Sequence, residues 1–96
     1  MLNKLLKVIM INTERYATLK QFHETRGSLN YYLEVFGDHI AISEGYKSLN
    51  GIKALRYYLM QKHNWLPSTV QSLSYEDLSF ALSQEQEGWT LPKEAL

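Results

Sequence analysis

Apolar and polar positions alternate at two places along the chain and follow a three-to-four spacing at three others. Residues 4–12 carry apolar side chains on both parities, with Leu6, Val8 and Met10 on one and Leu5, Ile9 and Ile11 on the other. That pattern suits a strand covered on two faces, with a helix running on from Leu2 as the competing reading. The run from Tyr31 to Ser43 alternates on either side of Gly37-Asp38, which predicts a β-hairpin with glycine at the first central position of its turn. Pairing Phe36 with His39 sets Val35 opposite Ile40 and Leu33 opposite Ile42. The core face is then Tyr31, Leu33, Val35, Ile40 and Ile42, and the outer face carries Tyr32, Glu34, Phe36, His39, Ala41 and Ser43.

The helical spacings come with their own punctuation. Asn12, Thr13 and Glu14 offer an N-cap and an acidic first turn, Tyr16, Leu19, Phe22 and His23 then share a stripe, and Gly27 supplies the stop. Ile52, Leu55, Tyr58 and Leu59 fall within about 120° of one another on a second helix that ends near Asn64. Pro67 blocks its continuation, Ser68 and Ser74 are candidate caps, and Ser74-Tyr75-Glu76-Asp77 has the cap-plus-acid order of a helix start. A third helix from Tyr75 to about Gln86 buries Tyr75, Leu78, Ala81 and Leu82, and Gly88 closes it.

The predicted order is β-α-β-β-α-α. The fold class expected is α+β: an N-terminal strand and the 31–43 hairpin form a small sheet packed against about three helices. Residues 1–88 make one domain, and residues 89–96 a short tail. Trp89 and Leu91 are apolar enough that the tail is expected to pack on the domain or on a second copy.

Composition narrows the chemistry. At 96 residues without cysteine, the chain excludes a disulfide framework, a thiolate metal site and a cysteine nucleophile. A chain of this size buries about 65% of its unfolded surface, enough for a core without staples. The apolar run at residues 5–11 is interrupted by Lys7 and falls short of the ~20 residues of a membrane span, so the expected setting is cytoplasmic. There is no His-x₃-His, no Gly-x-Gly-x-x-Gly, no phosphate loop and no Gly-x-Ser-x-Gly, so neither catalytic residues nor a cofactor or metal are assigned. The adjacent pairs His23-Glu24 and Asp38-His39 are splayed by their backbone and read as solvated surface.

Charge is neutral in total and uneven in distribution. Residues 1–70 carry a net +4 and residues 71–96 a net −4. Between Glu44 and Glu76 there is no acid, and Lys47, Lys53, Arg56, Lys62 and His63 lie among Tyr46, Tyr57 and Tyr58. Cations beside aromatics are the ingredients of single-stranded nucleic-acid binding. Against it, Lys53, Arg56 and His63 flank the apolar stripe without forming a stripe of their own, Lys62 falls inside it, and the pI of 6.8 is far from basic.

The apolar side chains that fit no core stripe point to a protein partner. Phe80 projects on the side of Glu76 and Asp77, Tyr32 and Phe36 lie on the outer face of the hairpin, and Trp89 follows the last helix. The function expected is therefore a small, soluble, non-catalytic interaction module, homodimeric, with Tyr32, Phe36, Phe80 and Trp89 as interface residues. The alternative is a nucleic-acid-binding accessory protein using residues 46–63. A third class, a small-ligand carrier or minor enzyme with a pocket between sheet and helices lined by Tyr16, Tyr58 or Trp65, rests only on the supply of Tyr and Trp.

Overall fold

In the computed structural model, which describes residues 13–20 and 28–96, the regular elements are all helical. Helix α1 covers residues 13–20, followed by α2 (Ser28–Glu44), α3 (Gly51–His63), α4 (Pro67–Gln71), α5 (Tyr75–Ala81) and a 3-10 turn (Lys93–Ala95). Among the described residues there is no strand. The α+β expectation is thereby corrected: the 31–43 segment is a continuous helix, and the N-terminal strand expected over residues 4–12 lies outside the described residues.

The physical reason is that α2 buries two stripes. Leu33, Phe36 and Ile40 stand at the i, i+3, i+7 spacing of a helix and join Ile52, Leu55, Leu59, Val70, Leu78 and Leu82 in the main core. Tyr31 and Val35, four residues apart on a second face, pack with Tyr16 and Ala95. Two buried stripes side by side look like period-2 alternation when written out as a sequence. Register shows the cost of that misreading: Phe36, assigned to an outer face, is 0% exposed, and Ile42, assigned to the core, is 73% exposed.

Gly37 and Asp38, read as a turn, serve the crossing of α2 over α3. A Cβ on Gly37 would fall on the Gly51 backbone, so the missing side chain lets the two helices approach at that point. The α2–α3 connection leaves α2 through Gly45, at φ 74°, where the chain takes the left-handed conformation.

Helix α3 follows the expected stripe, with Ile52, Leu55 and Leu59 buried, and ends on Asn64 in the left-handed conformation. Pro67 begins a separate helix, α4, because proline is tolerated in a first turn. Helix α5 opens with a full capping box: Ser74 accepts from the Asp77 N–H at 3.0 Å, and Asp77 accepts from the Ser74 N–H at 3.4 Å. It stops at Ala81, well before the expected Gln86, and turns lead to Gly88 at φ 78°.

Candidate interaction surface

The N-terminus of α3 is capped by another helix. Asn50 contributes no side-chain cap; instead the Asp38 carboxylate accepts from the Gly51 N–H at 2.8 Å, and the Glu34 carboxylate accepts from the Ile52 N–H. Glu34 and Asp38 are four residues apart, on one face of α2, and meet the positive end of the α3 dipole together. Arg15 of α1 closes the cluster, paired to Asp38 and lying 3.5 Å from Glu34. Burial raises the Glu34 pKa above the ordinary carboxylate value even with Arg15 beside it, and burial with the Asp38 charge raises that of the Tyr16 phenol. These charged groups are spent on joining three helices.

Trp89 is the hub of an aromatic cluster on the other side of α2. Its ring meets Phe36 at 5.0 Å and Tyr32 at 5.1 Å, both edge-on, and His39 at 5.7 Å. The Tyr32 hydroxyl donates to the Trp89 carbonyl at 3.3 Å. Farther along the tail, the Tyr31 hydroxyl donates to the Ala95 carbonyl at 2.6 Å. Of the four expected interface residues, three are thus brought together, as an internal contact: Phe36 is buried and Tyr32 and Trp89 are half-buried.

Phe80 stands apart from them. At 84% exposure it has more of its surface in solvent than any other large apolar side chain among the described residues, whereas Leu78, two positions earlier, is wholly buried. Glu76 and Asp77 precede it by four and three positions, so both carboxylates share its side of the helix and are exposed. The outward side of α5 is an acidic face with an aromatic ring on it.

The expected basic flank divides. Arg56 donates through Nη1 to the carbonyls of Val70 and Leu73, the latter at 2.9 Å, and so holds the end of α4. Lys62 donates to Glu85 at 2.6 Å, and the Tyr58 hydroxyl donates to the same oxygen at 3.0 Å. Burial works to raise the Glu85 pKa, but the bonds from Lys62 and Tyr58 prevail and hold it below the ordinary value. His63 stacks on Trp65 at 4.5 Å, beyond the end of α3. Lys47 and Lys53 are exposed.

Between α3 and α4 lies a groove of about 690 Å³. Its walls include Ile52, Met60, Pro67 and Val70, with Lys53 and Arg56 along α3. Sequence reasoning did not find it, because α4 was not expected; Pro67 followed by Ser-Thr-Val was the available signal of a new helix.

Compared with known protein families, with characterised proteins and with solved structures, the chain has no significant match. Among the described residues no helix is long and apolar enough to cross a membrane, and no three His, Asp or Glu side chains are grouped as metal ligands. The aromatic residues considered for a small-ligand pocket have separate protein contacts: Tyr16 with Asp38, Tyr58 with Glu85 and Trp65 with His63.

Proposed function

We propose that this chain is a small non-catalytic interaction module that self-associates through the outward face of α5. Phe80 is the observation that supports the reading. A phenylalanine left in water on a rigid, capped helix gains about 1.5–3 kcal/mol when covered, and a self-complementary contact collects that gain twice. The ring contributes nothing to the core of its own subunit, so its removal separates association from folding.

The test is the mass of the full chain by light scattering. The native protein is a dimer, and Phe80→Glu is a monomer with unchanged helical circular dichroism and thermal midpoint. A native protein that stays monomeric at the highest concentration reached overturns the reading, as does a Phe80→Glu protein that remains a dimer.

Nucleic-acid binding by residues 46–63 has weaker support. Lys47 and Lys53 are exposed, and Tyr46 and Tyr57 meet edge to face at 5.1 Å. Arg56 and Lys62, two of its cations, already hold protein groups. Size-exclusion chromatography of the tag-free protein at low salt, read at two wavelengths, would favour it if the protein peak carries excess nucleic-acid absorbance that is lost on adding salt.

A further inference from the structure

We propose that Phe80 of one copy seats in the α3–α4 groove of a second copy, with Glu76 of the first beside Lys53 of the second. This rests on the self-association reading above and names the receptor that reading leaves open.

Three observations carry it. The groove has an apolar lining that includes Ile52, Met60, Pro67 and Val70, and its volume of about 690 Å³ admits an aromatic ring together with the helical turn that bears it. Its cationic residues, Lys53 and Arg56, are on α3, and Lys53 is exposed. Glu34, the carboxylate in its lining, is already bound by Arg15 and by the Ile52 N–H. The acidic face of α5 has the complementary character: an exposed ring at residue 80 flanked by exposed carboxylates at 76 and 77.

The charge asymmetry of the chain acquires a role from this pairing. Residues 1–70, to which every lining residue but Gln71 belongs, carry +4, the lining itself holding Lys53 and Arg56 against Glu34, and residues 71–96, which include α5, carry −4. A basic site and an acidic plug on one neutral chain attract between copies while leaving the monomer without net repulsion. A two-fold dimer makes the contact twice, so each contact needs to supply only half of the ~1,200 Å² of a specific interface.

Two variants on exposed positions test the proposal by complementation. Phe80→Ser removes the ring and leaves the groove; Gln71→Trp fills the groove and leaves the ring. Each alone is a monomer in sedimentation, with native circular dichroism. Mixed in equal amounts they associate more tightly than either variant does alone and more weakly than the native chain, because one of the two contacts, the Phe80 ring of the Gln71→Trp chain in the groove of the Phe80→Ser chain, is restored. As a second arm, Lys53→Glu raises the dimer dissociation constant about tenfold, and adding Glu76→Lys to the same chain returns it to within about threefold of native.

The outcomes separate the two levels. If Phe80→Ser is a monomer while Gln71→Trp and Lys53→Glu remain native dimers, self-association through α5 stands and the groove is not its receptor. A mixture that associates no more than either variant alone, up to the highest concentration reached, likewise overturns the groove as receptor. If the groove variants lower thermal stability and leave the dimer mass intact, the groove is filled within the subunit and the proposal fails. A monomeric native chain overturns both.

Discussion

The Asp38 carboxylate, in the middle of α2, accepts a 2.8 Å hydrogen bond from the backbone N–H of Gly51, the first residue of α3. A helix N-terminus leaves its first N–H groups without intrahelical partners, and here the cap comes from a neighbouring helix. The other Asp38 oxygen pairs with Arg15, so one buried carboxylate joins α1, α2 and α3.

Removing that carboxylate strands one donor and loosens the hold on another. Asp38→Ala leaves the Gly51 N–H without its acceptor and the Arg15 guanidinium with only its longer contact to Glu34, and is expected to cost about 3 kcal/mol in urea denaturation. Asp38→Asn keeps an acceptor for Gly51 and loses the ion pair, so its cost lies between native and alanine. An alanine variant within about 0.5 kcal/mol of native contradicts this account of the three-helix junction.

Gly37 tests the crossing of α2 over α3. The added methyl of Gly37→Ala overlaps the Gly51 carbonyl, a backbone atom that yields only if the helices separate. The expected cost is about 3 kcal/mol, although alanine is the better helix former. Gly45→Ala is the control: its Cβ meets open space, and the left-handed φ of 74° leaves a strain of about 1 kcal/mol. Equal effects at the two sites would mean that close approach is not what Gly37 provides.

Arg56 gives a local prediction. Arg56→Met retains the apolar stem and loses the bonds to the Val70 and Leu73 carbonyls, at a cost of about 2 kcal/mol. Amide exchange should accelerate in residues 67–73 more than in α3. Uniform acceleration across the chain would show that Arg56 supports the whole fold and not α4 in particular.

The acid limb of stability should depend on Glu85. Its folded pKa lies below the ordinary value because the bonds from Lys62 and Tyr58 outweigh the effect of burial. The stabilisation is therefore present above the unfolded pKa of about 4.3 and is lost as pH falls through the lower folded value. Glu85→Gln is expected to be less stable than native at neutral pH and to lose less stability on acidification, measured as urea midpoints at neutral pH and below pH 4. Glu34 has the opposite sign, since its raised pKa relieves a cost on acidification, and that contribution persists in the variant. Parallel midpoint curves for the native and variant proteins would rule out the assigned role of Glu85.

Sequence signals served well where structure is local. The stripe of Ile52, Leu55 and Leu59 marks α3, and the Ser74–Asp77 capping box marks the start of α5, because propensity and capping act within a few residues of the chain. The exposure of Phe80 follows from its angle to Leu78 on that same helix. Trp89 was legible as too apolar for a free tail, but its partners Tyr32, Phe36 and His39, on the middle turns of α2, were not.

What the sequence by itself determined was the apolar stripe and C-terminal end of α3, the opening of α5, the separation of charge between residues 1–70 and 71–96, and the outward Phe80. Tertiary structure alone decided the conformation of residues 28–44. Their β-branched and aromatic side chains and the Gly37-Asp38 pair favour a hairpin locally, but a helix there buries Leu33, Phe36 and Ile40 against α3 and α5 while Tyr31 and Val35 meet α1 and the tail. It also turns Gly37 toward the Gly51 backbone and brings Glu34 and Asp38 to the α3 amides. Those contacts join residues far apart in the chain, so no local window of sequence contains them.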